Sequence, residues 1–214
     1  MANLDRRTVL AGAGLVGAAT VSACANAQSA AASEDMNDET AAAAGGLTLK
    51  EEGWDADAPP GLEFLFEARV KLHMPPMNVG QMSDGARVIY LVKEGVFEGP
   101  NLKGRVVPDS GADWIRIRPD GVGLLDVRFC LETHDNALIY VHWQGRSWAA
   151  PEDAAYAFDV DKPDDPDGAW RYYFRTAPFF ETSDPRYAWL NNIVAVSKSR
   201  TGDGGPIHRV FAVT

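Results

Sequence analysis

Asp113 is the residue whose type and position most directly suggest acid–base chemistry. It has the same strand parity as Ile115 and Ile117, so its carboxylate points into the interior if those two side chains do. A buried carboxylate is costly unless a cation or hydrogen-bond donors meet it. We expect either an ion pair that holds the register, with Arg175 as first partner and Arg128 or Tyr140 behind it, or an acid with a displaced pKa in a pocket.

Tyr140 and His142 form a second pair of candidate groups. Both lie on one face of a predicted strand, and Ile139, Val141 and Trp143 lie on the opposite face. The sequence leaves open which set faces inward. If Tyr140 and His142 do, they place a hydroxyl donor beside a base that titrates near neutral pH.

Charged and aromatic residues on two further segments could bind a ligand. Arg128 has the parity opposite to Val127 and Phe129, which favours a solvated outer position unless the lumen is polar. Arg175 and Glu181 flank an aromatic segment that would suit a flat ligand with an oxyanion or phenol. A turn packed by its own aromatic side chains is the alternative.

These groups define two hypotheses about function. The first is a cofactor-independent isomerase or lyase that moves a proton within a small apolar or aromatic molecule, while an arginine stabilises the oxyanion. Its candidate catalytic residues are Asp113, Tyr140, His142 and Glu181; its candidate substrate-binding residues are Arg128, Arg175, Trp114, Phe180 and Trp189. The second is a non-catalytic protein that holds an apolar ligand or a partner at the cell envelope.

Nucleotide, metal and covalent catalysis have no recognisable motif here. The chain has no Gly-x-Ser-x-Gly elbow, phosphate-binding loop or His-Glu-x-x-His motif, and its four histidines have no paired spacing. We therefore expect no cofactor and no metal. The formal net charge of -10 repels phosphate backbones and argues against a nucleic-acid partner.

The elements that must position these residues are short strands. Apolar residues alternate over residues 63–72, 87–93, 102–107, 112–118, 124–131 and 137–143. Tight polar turns separate the later runs, a spacing typical of an antiparallel meander. We predict a mostly all-β fold, a single closed antiparallel up-and-down β-barrel. A proline-containing segment at 73–80 is predicted to be a loop.

The C-terminal third combines one helix with further strands. Proline at position 151 followed by acids predicts a short helix over residues 151–158, and an acidic loop over 159–168 follows it. Strands are predicted at 171–176, 193–197 and 207–213. Residues 177–185 are predicted to form a long turn, residues 187–192 a helical turn or an extended bridge, and residues 199–206 a hairpin.

The N-terminal residues resemble an export leader. Arg6 and Arg7 precede an apolar run as in a twin-arginine signal, and Val21-Ser22-Ala23-Cys24 resembles a lipobox. Acylated Cys24 would anchor the protein to a membrane on the periplasmic side; ordinary cleavage after residue 27 is the alternative. The expected organisation is a signal over 1–27, a disordered tether rich in alanine and acids over 28–60, and the barrel over 61–214.

Five segments together resemble a known family. They are Leu65-Phe66-Glu67-Ala68-Arg69-Val70, Gly95-Val96-Phe97-Glu98-Gly99-Pro100, Gly111-Ala112-Asp113-Trp114, Tyr173-Phe174-Arg175-Thr176 and Trp189-Leu190-Asn191. In this order they resemble the family named domain of unknown function 3237, over essentially all of 61–214. The resemblance implies a small antiparallel β-barrel and no established activity. It does not account for the leader, the tether or the acidic loop.

Overall fold

The structure is a computed structural model that describes residues 58–214, and the predictions for the leader and tether lie mainly outside this range. Ten strands make up most of it: β1 Leu62–Leu72, β2 Met77–Met82, β3 Gly85–Glu98, β4 Lys103–Val106, β5 Ala112–Ile117, β6 Gly123–Thr133, β7 Leu138–Ala149, β8 Tyr172–Glu181, β9 Ala195–Gly202 and β10 Gly205–Val213. The helix α1, Pro151–Phe158, lies between β7 and β8. Two short 3₁₀ helices span Asp167–Arg171 and Ala188–Asn192.

The strands close into an eight-strand antiparallel barrel, which confirms the predicted fold class. The last strand, β10, pairs with β1, and β1 pairs with β3. The short strands β4 and β5 share one position in the barrel, because each pairs with both β3 and β6. The strand β2 lies outside this ring and pairs with the first half of β3.

One end of the barrel is filled with side chains. Phe66 packs on Phe97 and Phe180 with ring centroids 5.5 and 6.1 Å apart, and all three are buried. Phe129 meets the fully buried Trp143 edge to face at 5.2 Å nearer the middle. Towards the opposite end, the described residues leave a cavity.

Two predicted loop segments are strands in part. The predicted loop over 73–80 was wrong in its second half, since β2 begins at Met77, after both prolines, so neither proline interrupts a ladder. The predicted turn over 177–185 was wrong up to Glu181. Pro178 is tolerated because β8 pairs with β9 only at Arg175 and Thr176, so its missing N–H falls beyond that ladder.

The helix α1 has the bounds that its sequence predicts. Pro151 occupies the first turn, where its missing N–H costs nothing, and acidic residues follow it. The acidic segment after α1 is held to the barrel by Asp164, whose carboxylate accepts two hydrogen bonds from Arg200 at 2.5 and 2.8 Å. Among the helices of residues 58–214, none has the length and apolar character needed to span a membrane.

Candidate functional site

A cavity of about 200 Å³ occupies the end of the barrel that side chains leave unfilled. Most of its wall is apolar and comes from inward-facing residues of five strands: Val70, Leu72, Val92, Ile115, Leu125, Val127, Phe129 and Phe174. Its mouth is bordered by Ile117, Gly121, Phe158, Val160 and Pro206. Ile117 and Phe158 are exposed to solvent there, so a small molecule can enter from that end.

Asp113 lies in the wall of this cavity. Ile115 and Ile117 line it too, as their shared parity predicts. The β5–β6 ladder has no backbone pair between Asp113–Val127 and Arg116–Leu124. In that gap the Asp126 N–H donates to Asp113 Oδ1 at 3.2 Å, and Arg87 donates to the Trp114 carbonyl. Two side chains thus satisfy backbone groups that the opened ladder leaves without a backbone partner.

Burial raises the pKa of Asp113 to about 7. The hydrogen bond from the Asp126 N–H and the charge of Arg87 oppose this rise, while the negative charge of Asp126 adds to it. Within residues 58–214, Asp113 takes part in no ion pair, so the expected pair with Arg175 does not form. The carboxyl can therefore exist in both protonation states near neutral pH.

Tyr90 is a cavity residue that the sequence analysis did not select. It is paired with Asp113 across the β3–β5 ladder, and both side chains line the cavity. Burial, and then the charge of Asp113, raise the pKa of Tyr90 above its usual value, so the phenol keeps its proton. Its shared parity with Val92 on the predicted strand would have indicated an inward position.

His208 is a second cavity residue that the sequence analysis did not select. It is only 3% exposed, and its ring lies between Trp143 and Phe174, with centroids 4.3 and 5.5 Å away. Burial lowers the pKa of His208 to about 3, so the imidazole is neutral at ordinary pH. His208 has the same parity as Val210 and Ala212 in the last predicted strand, and this pattern would have indicated its inward position.

His208 stands at the end of a line of buried hydroxyl groups that are hydrogen-bonded to one another. Its Nδ1 lies 2.7 Å from Ser199 Oγ, which lies 2.9 Å from Ser197 Oγ. Ser197 Oγ lies 2.6 Å from Thr176 Oγ1. The four residues come from the three adjacent strands β8, β9 and β10, and each is less than 5% exposed.

Tyr140 and His142 lie on the outer face of β7. Ile139, Val141 and Trp143 are fully buried and occupy the interior, which decides the parity that the sequence left open. His142 Nε2 lies 3.1 Å from an Asp126 carboxylate oxygen on that outer face. Neither Tyr140 nor His142 lines the cavity, so the structure does not bring them together with Asp113.

Arg128 and Trp114 also lie outside the barrel. The guanidinium of Arg128 lies 5.8 Å from the Trp114 ring centroid, and its Nη2 is 3.0 Å from an Asp126 carboxylate oxygen. Val127 and Phe129, on the opposite parity, line the cavity. The solvated outer position that the strand pattern favoured for Arg128 is the one observed.

The remaining candidates do not line the cavity either. Arg175 lies over the Tyr173 ring at 5.1 Å on the outer face, and Glu181 is exposed at the end of β8. Phe180 belongs to the core of the filled end, and Trp189 packs partly buried against the core. Cys24 lies outside the described residues. Within 58–214, no three His, Cys, Asp or Glu side chains are placed to hold a metal ion.

Comparisons with known proteins relate most of the described chain to one family. The model of the family described as "Protein of unknown function (DUF3237)" matches residues 60–213. A UPF0311 protein of Rhodopseudomonas palustris (strain TIE-1) is 34% identical over 113 residues, 53% of this chain and 71% of that protein. The hydroalkoxylation enzyme phnH of Penicillium herquei is 30% identical over 138 residues, 64% of this chain and 72% of that enzyme.

A solved structure has a similar fold. The crystal structure of a β-barrel-like protein from Acinetobacter baumannii AYE superposes with a TM-score of 0.62 at 37% identity, covering 73% of this chain and 98% of that one. The barrel described here is therefore shared with a relative whose coordinates were determined experimentally.

Proposed function

The chain belongs to the DUF3237 family of proteins of unknown function, and we propose that it is a cofactor-independent isomerase or lyase acting on small apolar or aromatic molecules. The family description names no activity, so the proposal depends on the cavity. Proton transfer is assigned to Asp113. Tyr140, His142 and Glu181 have no part in it because they lie outside the cavity.

The observation that carries the proposal is a lone carboxyl group, with a pKa of about 7, in an otherwise mainly apolar wall. A general acid or base works best when its pKa lies near the working pH, because it can then both donate and accept a proton. Asp113 has no ion-pair partner among the described residues, so its charge is free to change during a reaction. Tyr90 stands beside it with its proton retained, as a hydrogen-bond donor.

The name of one relative suggests the kind of step. Hydroalkoxylation adds an O–H group across a carbon–carbon double bond. Within one molecule the C–O bond forms, the π bond breaks, protonated Asp113 donates its proton to carbon, and the Asp113 carboxylate takes up the hydroxyl proton. Substrate and product are isomers and Asp113 ends as it began, so the step needs no oxidant, reductant or cofactor.

The proposal can be tested with 1-(2-hydroxyphenyl)but-2-en-1-one, which closes by this step to its isomer 2-methylchroman-4-one. The full chain is mixed with the probe at neutral pH, and product and enantiomeric excess are followed by chiral chromatography. We expect closure above the uncatalysed rate with one enantiomer in excess. Racemic product at the uncatalysed rate, or an unchanged rate in Asp113→Asn, would contradict the proposal.

Ligand binding without catalysis is the second candidate function, and the mainly apolar cavity wall favours it. A binding protein would be stabilised by small aromatic compounds, with a transition temperature that rises with ligand concentration. It would convert none of them. A thermal-shift series combined with product analysis of the same samples separates the two functions.

We also propose that the protein is exported through a twin-arginine signal and anchored in the cell envelope through Cys24. The support is the order of Arg6-Arg7, the apolar run and the Val21–Cys24 motif. Labelled palmitate should enter the wild-type protein and not a Cys24→Ser variant. Arg6→Lys combined with Arg7→Lys should block export. Labelling of Cys24→Ser equal to that of the wild-type protein would contradict the proposed lipid anchor.

A further inference from the structure

His208 lines the cavity, and one of its two ring nitrogens is hydrogen-bonded to a buried side chain of the barrel. It stands on β10, and Asp113 on β5 is three strands away around the barrel, through β3 and β1. Both side chains line the same cavity. Nδ1 of His208 is engaged with Ser199, whereas Nε2 has no hydrogen-bond partner within residues 58–214.

The line of hydroxyl groups contains three hydrogen bonds among four residues: Thr176, Ser197, Ser199 and His208. Each hydroxyl group carries one proton. If Nδ1 of His208 is unprotonated, three protons serve three bonds, and each group donates to the next towards the imidazole. If Nδ1 carries a proton, four protons compete for three bonds, and one buried donor has no acceptor.

Leaving a buried donor unsatisfied costs about 1–3 kcal/mol, enough to decide between two tautomers of similar intrinsic energy. The arrangement that uses all three hydroxyl protons within the line has Thr176 donating to Ser197, Ser197 to Ser199, and Ser199 to His208 Nδ1. The unpaired ring nitrogen Nε2 is not enclosed by protein atoms and His208 lines the cavity, so a proton on Nε2 can be accepted by a ligand or water molecule there. In a neutral ring, the proton then resides on Nε2.

We infer that His208 is a neutral Nε2–H donor that binds an oxygen atom of the ligand inside the cavity. The inference rests on the proposed function in one respect, that this cavity is the ligand site. It narrows the ligand class to small aromatic or conjugated molecules with an oxygen acceptor, such as a ketone. In the proposed reaction, this donor would hold the carbonyl oxygen whose negative charge grows as the hydroxyl adds to the double bond.

Packing keeps the donor in place. The edge-to-face contacts with Trp143 and Phe174 leave the ring little room to rotate, and Ser199 holds its other nitrogen. Trp143 is itself fully buried. A donor held before the ligand arrives loses little entropy on binding, which favours affinity and selectivity.

The first test needs no ligand. Nitrogen-15 spectra of the full chain labelled at histidine should show His208 as the Nε2–H tautomer at neutral pH. In Ser199→Ala the line of hydroxyl groups is broken, so both tautomers should be populated. A wild-type His208 protonated at Nδ1 overturns the inference.

The second test compares 1-indanone with indane, which has the same ring system without the oxygen. Wild-type protein should bind 1-indanone about 3- to 10-fold more tightly in an NMR titration, the worth of one hydrogen bond. Ser199→Ala and His208→Phe should reduce this preference, while His134→Gln, on the exposed β6–β7 turn, should keep it. Equal binding of the two probes by wild-type protein, or binding of neither, overturns the inference.

The two tests separate this inference from the proposed function. Tautomer and binding preference report on His208 whether or not any substrate is converted. Loss of turnover in Asp113→Asn reports on proton transfer. If the protein prefers 1-indanone but converts no substrate, the inference about His208 stands and the proposed enzymatic function is contradicted.

Discussion

The backbone N–H of Asp126 donates to the Asp113 carboxylate at 3.2 Å, while the Asp126 side chain contacts His142 and Arg128 on the outer face of the barrel. One residue therefore touches both the cavity acid and the outer charged cluster. The negative charge of Asp126 contributes to the raised pKa of Asp113. Outer-face residues can tune the cavity acid without entering the cavity.

Asp126→Asn should lower the pKa of Asp113 because it removes a nearby negative charge and leaves the backbone N–H in place. Carbon-13 NMR of labelled aspartate, followed as a pH titration, measures the shift directly. Glu132→Gln removes a charge from the same outer face of β6, further along the strand, and should leave Asp113 unchanged. An unaltered titration of Asp113 in Asp126→Asn would show that the two charges are independent.

Asp113→Asn should keep the fold and remove turnover. Asparagine retains an oxygen that can accept the Asp126 N–H bond, so the melting temperature should not fall by more than a few degrees. Losing the general acid should slow the reaction about 10²- to 10⁴-fold. Calorimetry and chromatographic rates on the same preparation provide the comparison. A large fall in melting temperature would instead identify Asp113 as a structural group.

The pH dependence of stability should carry the signature of Asp113. Its pKa is about 7 in the folded protein against an ordinary value of 3.8, so the folded state favours the neutral form. Relative to Asp113→Asn, wild-type stability should fall as pH rises from about 4 to about 7 and level off above, by at most about 4 kcal/mol. Urea unfolding of both proteins across this range measures the difference; parallel curves would contradict a raised pKa.

His208 should produce the opposite slope on the acid side. Its pKa falls from 6.5 to about 3 on folding, so the unfolded chain binds a proton that the folded protein excludes. Stability relative to His208→Gln should be constant above about pH 6.5 and fall below it, by about 2 kcal/mol at about pH 5. The same urea experiments, extended to lower pH, test this. If the variant shows an equal acid slope, another group is responsible.

Arg200→Ala should loosen the segment that borders the cavity mouth. Arg200 and Asp164 are only 10% and 14% exposed at the side chain, and their two-point contact joins β9 to the segment after α1. Removing the cation leaves a largely buried carboxylate without its main partner, a change that costs several kcal/mol when burial is complete. Limited proteolysis should cut within residues 159–166 sooner than in wild type. Arg105→Ala, which breaks a more exposed pair with Glu132, should not change that cleavage.

Alternation along single strands was enough to predict the barrel. Residues 124–131 and 137–143 show their buried faces in the sequence, and Pro151 with its acidic neighbours marks the helix. The ends of the strands were harder to predict from the sequence. β8 can continue through Pro178 because it is not paired with β9 at that point. Which strands pair at a given residue cannot be read from the local sequence pattern.

The sequence by itself determined that this chain forms a mostly β barrel and that Asp113 shares a face with Ile115 and Ile117. Those properties follow from two-residue periodicity, which is local. Only the tertiary structure decided that Tyr90 and His208 line the cavity with Asp113, that Tyr140 and His142 do not, and that Thr176, Ser197 and Ser199 lead to His208. The reason is that neighbours across a closed barrel depend on register and closure, which bring residues 113 and 208 to one space although 95 positions separate them.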